Sequence, residues 1–494
     1  MKFIERLEKN NDYWFLLISS FILFLLRLPS LFEPYWYGDE GVYQVIGIAL
    51  RQGRLLYRDI FDNKPPLLYM LYSLFNSDQF MVRLASLIFA ILSVIIFFFL
   101  LKRILGPEHN KILFIATSIF TILYGIPNLE GNIANAENFM ILPILIAVFL
   151  FVNYKNITRL SSFFIIGLLL GTAFLFKIVA VFDLGTLLVF WIFLNFSESD
   201  SLSNIKRVFL SEFKKILILL SGFLIPIALT VLFFFIKGAF SDFLTAVLFS
   251  NIGYVGYTNK LLGIPQGLLI LKLIFLFAFI VFLFTIKRKL KITEIFVFLW
   301  FSFSLFNVFF SGRPYTHYLL LLLPSFCLML GLAMKKQKIP IILLIISIPI
   351  ILNNFSIYSC KYTLLYYKNF TLFMTGKITV FSYRGFFDKN TPYDYELAQL
   401  IKIKKAPKDQ VFIWGNNAQV YKLIGGGVLP PGKYTVEYHM TEYKDGLTNT
   451  EQALERVKPK FIVTMSNVPA IPFSLANYIN LININNISVY ERFF

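Results

Sequence analysis

The sequence predicts a mainly α, polytopic transmembrane protein of about eleven spans with a small extracytoplasmic α/β domain at its C-terminal end. Three observations lead there. Hydrophobic residues make up 57% of the 494-residue chain, and mean hydropathy is +0.70, where a soluble domain holds roughly 45–50% apolar residues. Stretches such as Ile88 to Leu101 and Leu273 to Ile286 carry no charge at all. Beyond residue 360 the composition turns to mixed charge and turn residues.

The spans fall at about 13–32, 82–104, 111–126, 138–154, 162–177, 179–195, 216–236, 264–286, 294–311, 318–334 and 339–359, by the criterion that roughly 20 apolar residues cross a bilayer core. Lys177 marks the break between two of them. The segment 13–32 is too long for a cleavable signal, and no small-residue cleavage site follows it, so it reads as the first span. Arg27 reads as a snorkelling anchor near its outer end. Lys272 lies inside a span with no partner visible in the sequence.

Net charge is +18. In a soluble protein this would suggest nucleic acid, but cytoplasmic loops of membrane proteins collect Lys and Arg, so no nucleic-acid partner is expected. The basic loops are "KFIERLEK", "LKRILGPEHNK", "YKNITR", the stretch holding Lys206, Arg207, Lys214 and Lys215, "KRKLK" and "KKQK". They place the N-terminus in the cytoplasm. The loop at about 33–81 and everything after residue 360 then lie outside a cell membrane, dividing the chain into a transmembrane domain over 1–359 and an outer domain over 360–494. Two cysteines, Cys327 and Cys360, do not make a disulfide framework.

The outer domain shows three β-like runs, "QVFIWG", "KFIVTM" and "ISVYERFF", and helical spacing over Tyr393 to Ile403. Strand and helix alternate, hence a small α/β fold.

The first outer loop breaks the positive-inside pattern. It carries Arg51, Arg54, Arg58 and Lys64 beside Asp39, Glu40, Asp59 and Asp62. One reading is a solvated amphipathic helix on the membrane face, with the stripe Val42, Ile46, Ala49 and Leu50. That leaves "DNKPPLLY" unexplained, where two prolines fix Lys64 at the mouth of an apolar run. A cation held at the interface suits a fixed anion such as a lipid phosphate. Asp39 and Glu40 open a helix. They serve as a cap, or as a carboxylate that takes a proton from an acceptor hydroxyl while cations steady a phosphate leaving group. Glu137 in "NAENF" is a polar anchor or a second site carboxylate at the mouth of a span. Arg313 and His317, beside Tyr315 and Tyr318, form an interfacial belt or bind phosphate. His109 and His439 sit in no metal-like cluster and read as structural.

"WYGDEGVYQVIGIALRQGRLLYRDIFDNKPPLLYML" resembles the first-loop signature of C-type glycosyltransferases. More narrowly, it is similar to the bacterial and archaeal branch near protein O-mannosyltransferases and the lipid A aminoarabinose transferase. "GNIANAENFMILP", "GLLLGTAFLFKIVAVFD", "SGRPYTHYLLLLLP" and "VFIWGNNAQVYKLIGG" resemble later family segments in the same order. The resemblance implies transfer of a sugar from a polyprenyl-phosphate-linked donor to a lipid, glycan or protein acceptor outside the membrane, with inversion. Asp39 matches the base or acceptor-positioning acid, with Glu40 beside it. Lys64 matches the lysine at the donor phosphate, and Tyr43 a tyrosine near it. Val42 stands where aminoarabinose transferases carry an Arg, so phosphate neutralisation leans on Arg313 and His317. No cofactor is expected. A divalent metal on Asp39 and Glu137, as acidic pairs hold one in oligosaccharyl transferases, is the less favoured alternative, since hard cations want more oxygen ligands. Two other function classes remain open: a flippase or exporter of lipid-linked glycan, though no repeated halves are seen, and a non-catalytic membrane scaffold that binds glycan.

The orientation is testable by thiol labelling. In a Cys-free background, a cysteine at Asn76 or Asn417 should react with an impermeant thiol reagent on intact cells. Protection of both, with labelling in the "KRKLK" loop, would reverse the orientation.

Overall fold

The computed structural model describes residues 2–152, 159–197, 202–261, 264, 266–357, 359–466 and 468–493. The basic stretch "YKNITR" lies, apart from Arg159, outside the described residues. The protein is predominantly helical with one small sheet near its C-terminal end, as the sequence predicts. Among the described residues, six helices are long and apolar enough to cross a membrane: Asn11–Phe32, Gln79–Leu105, Glu212–Ile236, Gly267–Lys289, Ile292–Phe310 and Thr316–Met334. Shorter apolar helices include Ala136–Val152, Leu160–Phe176, Ile178–Leu194 and Lys338–Asn354. The chain is a multi-pass membrane protein. Each expected span has a helix. Lys177 is the expected break, its backbone extended between the helix Leu160–Phe176 and a 3-10 turn at Ile178–Ala180. The helix expected from residue 216 begins at Leu202.

The chain packs as two units. One comprises Met1–Leu28, Ala85–Phe233 and Phe249–Thr363; the other comprises Pro29–Leu84, Phe234–Leu248 and Leu364–Phe494. The loop over about 33–81 and the residues after 363 fall together in the second unit.

In the first unit, close helix packing depends on glycine. Gly167 and Gly171 of the helix Leu160–Phe176 lie against the backbone of Leu219 and Phe223, and Gly222 lies against that of Phe164, leaving no room for a Cβ. Helices in lipid gain their association from such close contact, which small residues four apart permit. Charges inside the spans are accounted for locally. Lys272 donates to Phe309 O at 2.6 Å and to Asn259 Oδ1 at 2.7 Å, while Asn259 donates to Phe310 O at 2.9 Å. These bonds satisfy the carbonyls that the helix Ile292–Phe310 leaves open at its end. Arg27, expected to snorkel, is instead buried and donates to Ser86 Oγ at 2.9 Å.

The second unit contains the sheet: β1 (Val411–Trp414), β2 (Phe461–Thr464), β3 (Tyr478–Ile484) and β4 (Ile487–Arg492), in spatial order β1-β2-β4-β3. β1 and β2 are parallel, joined through helices that include Gln419–Ile424 and Gly446–Val457. β3 was not recognised in the sequence. It pairs antiparallel with β4 around Asn485 and Asn486, at φ 47° and 65°. Asparagine tolerates that left-handed backbone, and two such residues make a tight hairpin turn.

The loop that follows the first span docks on this subdomain through its backbone and long polar side chains. Gln52 donates to Gly427 O at 2.6 Å, Arg54 to Pro430 O at 3.0 Å, and the Phe61 N–H to Lys433 O at 2.9 Å. A Cβ on Gly41 would stand 2.6 Å from the Gln419 nitrogen, so the helix Gly38–Arg51 approaches closely there.

A buried ion cluster sets the helix Gly38–Arg51. Arg83 is fully buried at the start of the helix Gln79–Leu105. Its guanidinium reaches Glu40 with Nε at 3.1 Å and Nη2 at 2.5 Å, Glu33 with Nη1 at 2.9 Å, and Ser30 O at 2.7 Å. Glu33 also accepts from Trp36 Nε1 at 2.8 Å and Tyr366 O–H at 2.6 Å. Removing one partner from a buried ion pair leaves the others desolvated and uncompensated, at a cost of about 3–5 kcal/mol. Arg83→Met should therefore lower folded yield and melting temperature in detergent sharply, and Glu40→Gln, which keeps an acceptor, should do so less. An Arg83→Met protein that melts like the parent would remove this cluster as the organiser of the loop.

Candidate active site

Asp39 and Glu40 are neighbours in the first turn of the helix Gly38–Arg51, yet face different surroundings. Successive helical side chains diverge by about 100°. Glu40 turns into the core against Arg83 and is 2% exposed, while the Asp39 side chain is 51% exposed. Glu40, grouped with Asp39 as catalytic in the sequence, is thus enclosed by its arginine. Asp39 does not cap the helix: the N-cap position is Tyr37, and no side chain caps there. Its acid in the first turn still suits the helix N-terminus.

Three tyrosines shape what faces Asp39. Tyr43, one turn on, donates its O–H to Asp39 Oδ2 at 3.0 Å. Tyr69 donates to Asp62 Oδ2 at 2.7 Å and accepts from the Lys64 N–H at 3.3 Å. Tyr57, held at φ 70°, donates to Lys64 O at 2.7 Å. Burial first, and then the nearby carboxylates, push all three phenols well above their ordinary range, so they remain donors.

These bonds fix the backbone at Lys64, and Pro65 and Pro66 stiffen the turn into the helix Leu67–Leu74. The Lys64 ammonium then stands 3.7 Å from Asp39 Oδ2, 3.8 Å from Asp62 Oδ2 and 4.9 Å from the centroid of the Tyr43 ring. Its side chain is 20% exposed. Asp39, Tyr43 and Lys64, singled out separately in the sequence, converge here.

Two residues of this cluster were missed as site residues. Asp62 is 3% exposed and also accepts from the Asn63 N–H at 2.7 Å. His439, read as structural, is brought from the helix Glu437–Glu442 to within 3.9 Å of Asp62 Oδ1. Burial lowers its pKa below the usual value, against the pull of Asp62. Asp62 was visible in "DIFDNKPP" as an acid two residues before the lysine; nothing local to "EYHMTE" announces the histidine.

The other unit holds a second polar cluster. Glu137, in the first turn of the helix Ala136–Val152, is 1% exposed and ion-paired with Lys177. The Lys177 ammonium lies 4.1 Å from the centroid of the Tyr318 ring. His317, expected at a donor phosphate, turns its nitrogens to carboxylates: Nδ1 is 2.9 Å from Glu130 Oε2, and Nε2 is 3.9 Å from Glu137 Oε1. Thr316 also donates to Glu130 at 2.7 Å. Arg313 is half-buried on the same turn, its N–H donating to Ser311 Oγ at 3.3 Å. Lys177 and Glu130 enter this cluster only through the fold. No group of three or more His, Cys, Asp or Glu fit to hold a metal occurs among the described residues.

Comparison with known proteins adds the following. Residues 64–225 match the family model for dolichyl-phosphate-mannose-protein mannosyltransferase. A search among curated proteins gives no match. Among solved structures the chain is similar to ArnT from Cupriavidus metallidurans, crystallised with undecaprenyl phosphate. The TM-score is 0.52 at 13% identity, covering 96% of this chain and 97% of that one. The archaeal oligosaccharyltransferase AglB from Archaeoglobus fulgidus, in complex with an inhibitory peptide and a dolichol-phosphate, gives 0.46 at 12% identity, with 92% and 69% covered. The resemblance to mannosyltransferases is therefore met by a family model over residues 64–225, and the fold along nearly the whole chain is like that of ArnT.

Proposed function

We propose that the protein is an integral-membrane glycosyltransferase. It moves a sugar from a polyprenyl-phosphate-linked donor to an acceptor hydroxyl on the extracytoplasmic side of the cell membrane. The observation that carries this reading is the placement of one ammonium, Lys64, between a half-exposed carboxylate and a buried one. The mannosyltransferase family match and the ArnT-like fold support it.

In this reading the acceptor oxygen attacks the anomeric carbon from the face opposite the phosphate. Asp39, the exposed acid, takes the hydroxyl proton as the new C–O bond forms. The bond from the anomeric carbon to the phosphate oxygen breaks, and polyprenyl phosphate leaves with the electron pair beside Lys64. Attack from the opposite face inverts the anomeric centre. Tyr43 orients Asp39 through its hydrogen bond, and Asp62 aims Lys64. In the other unit, His317 with Glu130 positions Glu137, and Arg313 adds a cation on the same turn as His317. The acceptor is a lipid, glycan or protein hydroxyl.

General-base assistance contributes about 10²–10⁴ in rate. Asp39→Asn keeps size and local bonding, so it isolates the charge: the variant should fold and bind polyprenyl phosphate but transfer sugar at least about 10²-fold more slowly. Lys64→Met removes a charge-assisted contact of about 1.5–3 kcal/mol, so donor binding should weaken roughly ten- to a hundredfold. Turnover by purified protein with a labelled polyprenyl-phosphate sugar, and the anomeric configuration of the product, provide the readouts. Near-normal turnover in Asp39→Asn, or a retained configuration, would rule out this mechanism.

A further inference from the structure

His439 lies at the back of the lysine site. The residue is 8% exposed, its ring enclosed by Phe61 at 5.5 Å and by Tyr438 and Tyr443, each at 5.8 Å between centroids. Nε2 points to Asp62 Oδ1, while Nδ1 is buried with no hydrogen-bond partner among the described residues. The charged and titratable groups around the ring are Asp62, Lys64 and Asp39 from the first loop and Tyr438 and Tyr443 from its own segment.

The charge pattern gives this histidine a task. Two carboxylates, Asp39 and Asp62, face one ammonium. A phosphodiester drawn to Lys64 adds a negative charge and competes with Asp62 for the ammonium. Asp62, buried and bonded on both oxygens, cannot swing into water to follow it. A second cation next to Asp62 removes the conflict, and the group placed to become one is the imidazole.

We infer that His439 is the charge-compensating residue of this site: its imidazole takes up a proton when a phosphodiester anion settles beside Lys64, and the imidazolium then holds Asp62. This rests on the anion site proposed above. The proton comes from solvent and returns to it when the anion leaves; no bond to the sugar is involved. In the empty site, burial keeps the ring below its usual pKa and neutral near pH 7. The bound anion raises that value. Binding is thereby coupled to proton uptake, and affinity falls as pH rises between the two values, by at most about tenfold per pH unit for one proton.

The test uses full-length protein in detergent and farnesyl methyl phosphate, a diester whose single negative charge does not itself titrate between pH 5 and 8. Calorimetric titrations at several pH values, each in two buffers of different ionisation enthalpy, read affinity and protons taken up. The parent should absorb a proton on binding, with affinity falling several-fold from the acid to the alkaline end. His439→Gln, confirmed folded by its melting curve, should bind without uptake and with a flat pH profile. Absence of uptake by the parent, or uptake that persists in His439→Gln, overturns the assignment and leaves the anion site standing. Affinity that ignores Lys64→Met overturns the anion site, and this assignment with it.

Discussion

One guanidinium organises the unit that carries Asp39 and Lys64. Arg83 enters a fully buried position at the start of a membrane-spanning helix and satisfies Glu33, Glu40 and the Ser30 carbonyl at once. A charge in that environment persists only when its partners are in place. Glu40 is thereby drawn inward, and a helix that presents Glu40 to the core presents its neighbour Asp39 elsewhere. Glu33, held by the same arginine, also ties Trp36 and Tyr366 into the cluster. Two adjacent acids acquire separate fates from one contact.

Around Lys64 the structure works by opposition rather than by attraction alone. The ammonium faces Asp39, Asp62 and the ring of Tyr43. Three buried phenols, kept protonated by burial, hold the carboxylates and the lysine backbone in place. Both ion-pair distances are longer than a close charge-assisted contact. The C-terminal subdomain takes part, since it supplies Gln419 against Gly41, Lys433 against Phe61 and His439 against Asp62. The acid, the lysine and the histidine are held by one packed unit, so altering the C-terminal sheet region also alters their arrangement.

The membrane-spanning unit meets its polar groups by a different route. Lipid offers no water to a carbonyl or an ammonium, so a partner must come from the protein. Lys272 and Asn259 close the end of the helix Ile292–Phe310, and Lys177, exposed by a break between two short helices, pairs with Glu137. Glycines four residues apart then allow the backbones to meet.

The sequence by itself determined the class and most of the elements. Length and apolarity decide spans because a bilayer admits only helices that satisfy their own backbone. "DNKPPLLY" disclosed Lys64 because prolines beside a cation at a span mouth are a local signal, and β1, β2 and β4 showed as short runs of β-branched and aromatic residues. The hairpin strand β3 was lost because its asparagines weaken the strand pattern, although the Asn-Asn turn was there to be read. What only the tertiary structure decided are relations between residues far apart in the chain. Arg83 draws Glu40 inward and leaves Asp39 half-exposed, His439 arrives 377 positions from Asp62, and the loop that carries Lys64 packs in one unit with the C-terminal sheet. Periodicity and composition report a residue's own surroundings along the chain. Partner choice between buried charges is fixed only when packing brings them within a few ångströms in a medium that tolerates no unpaired one.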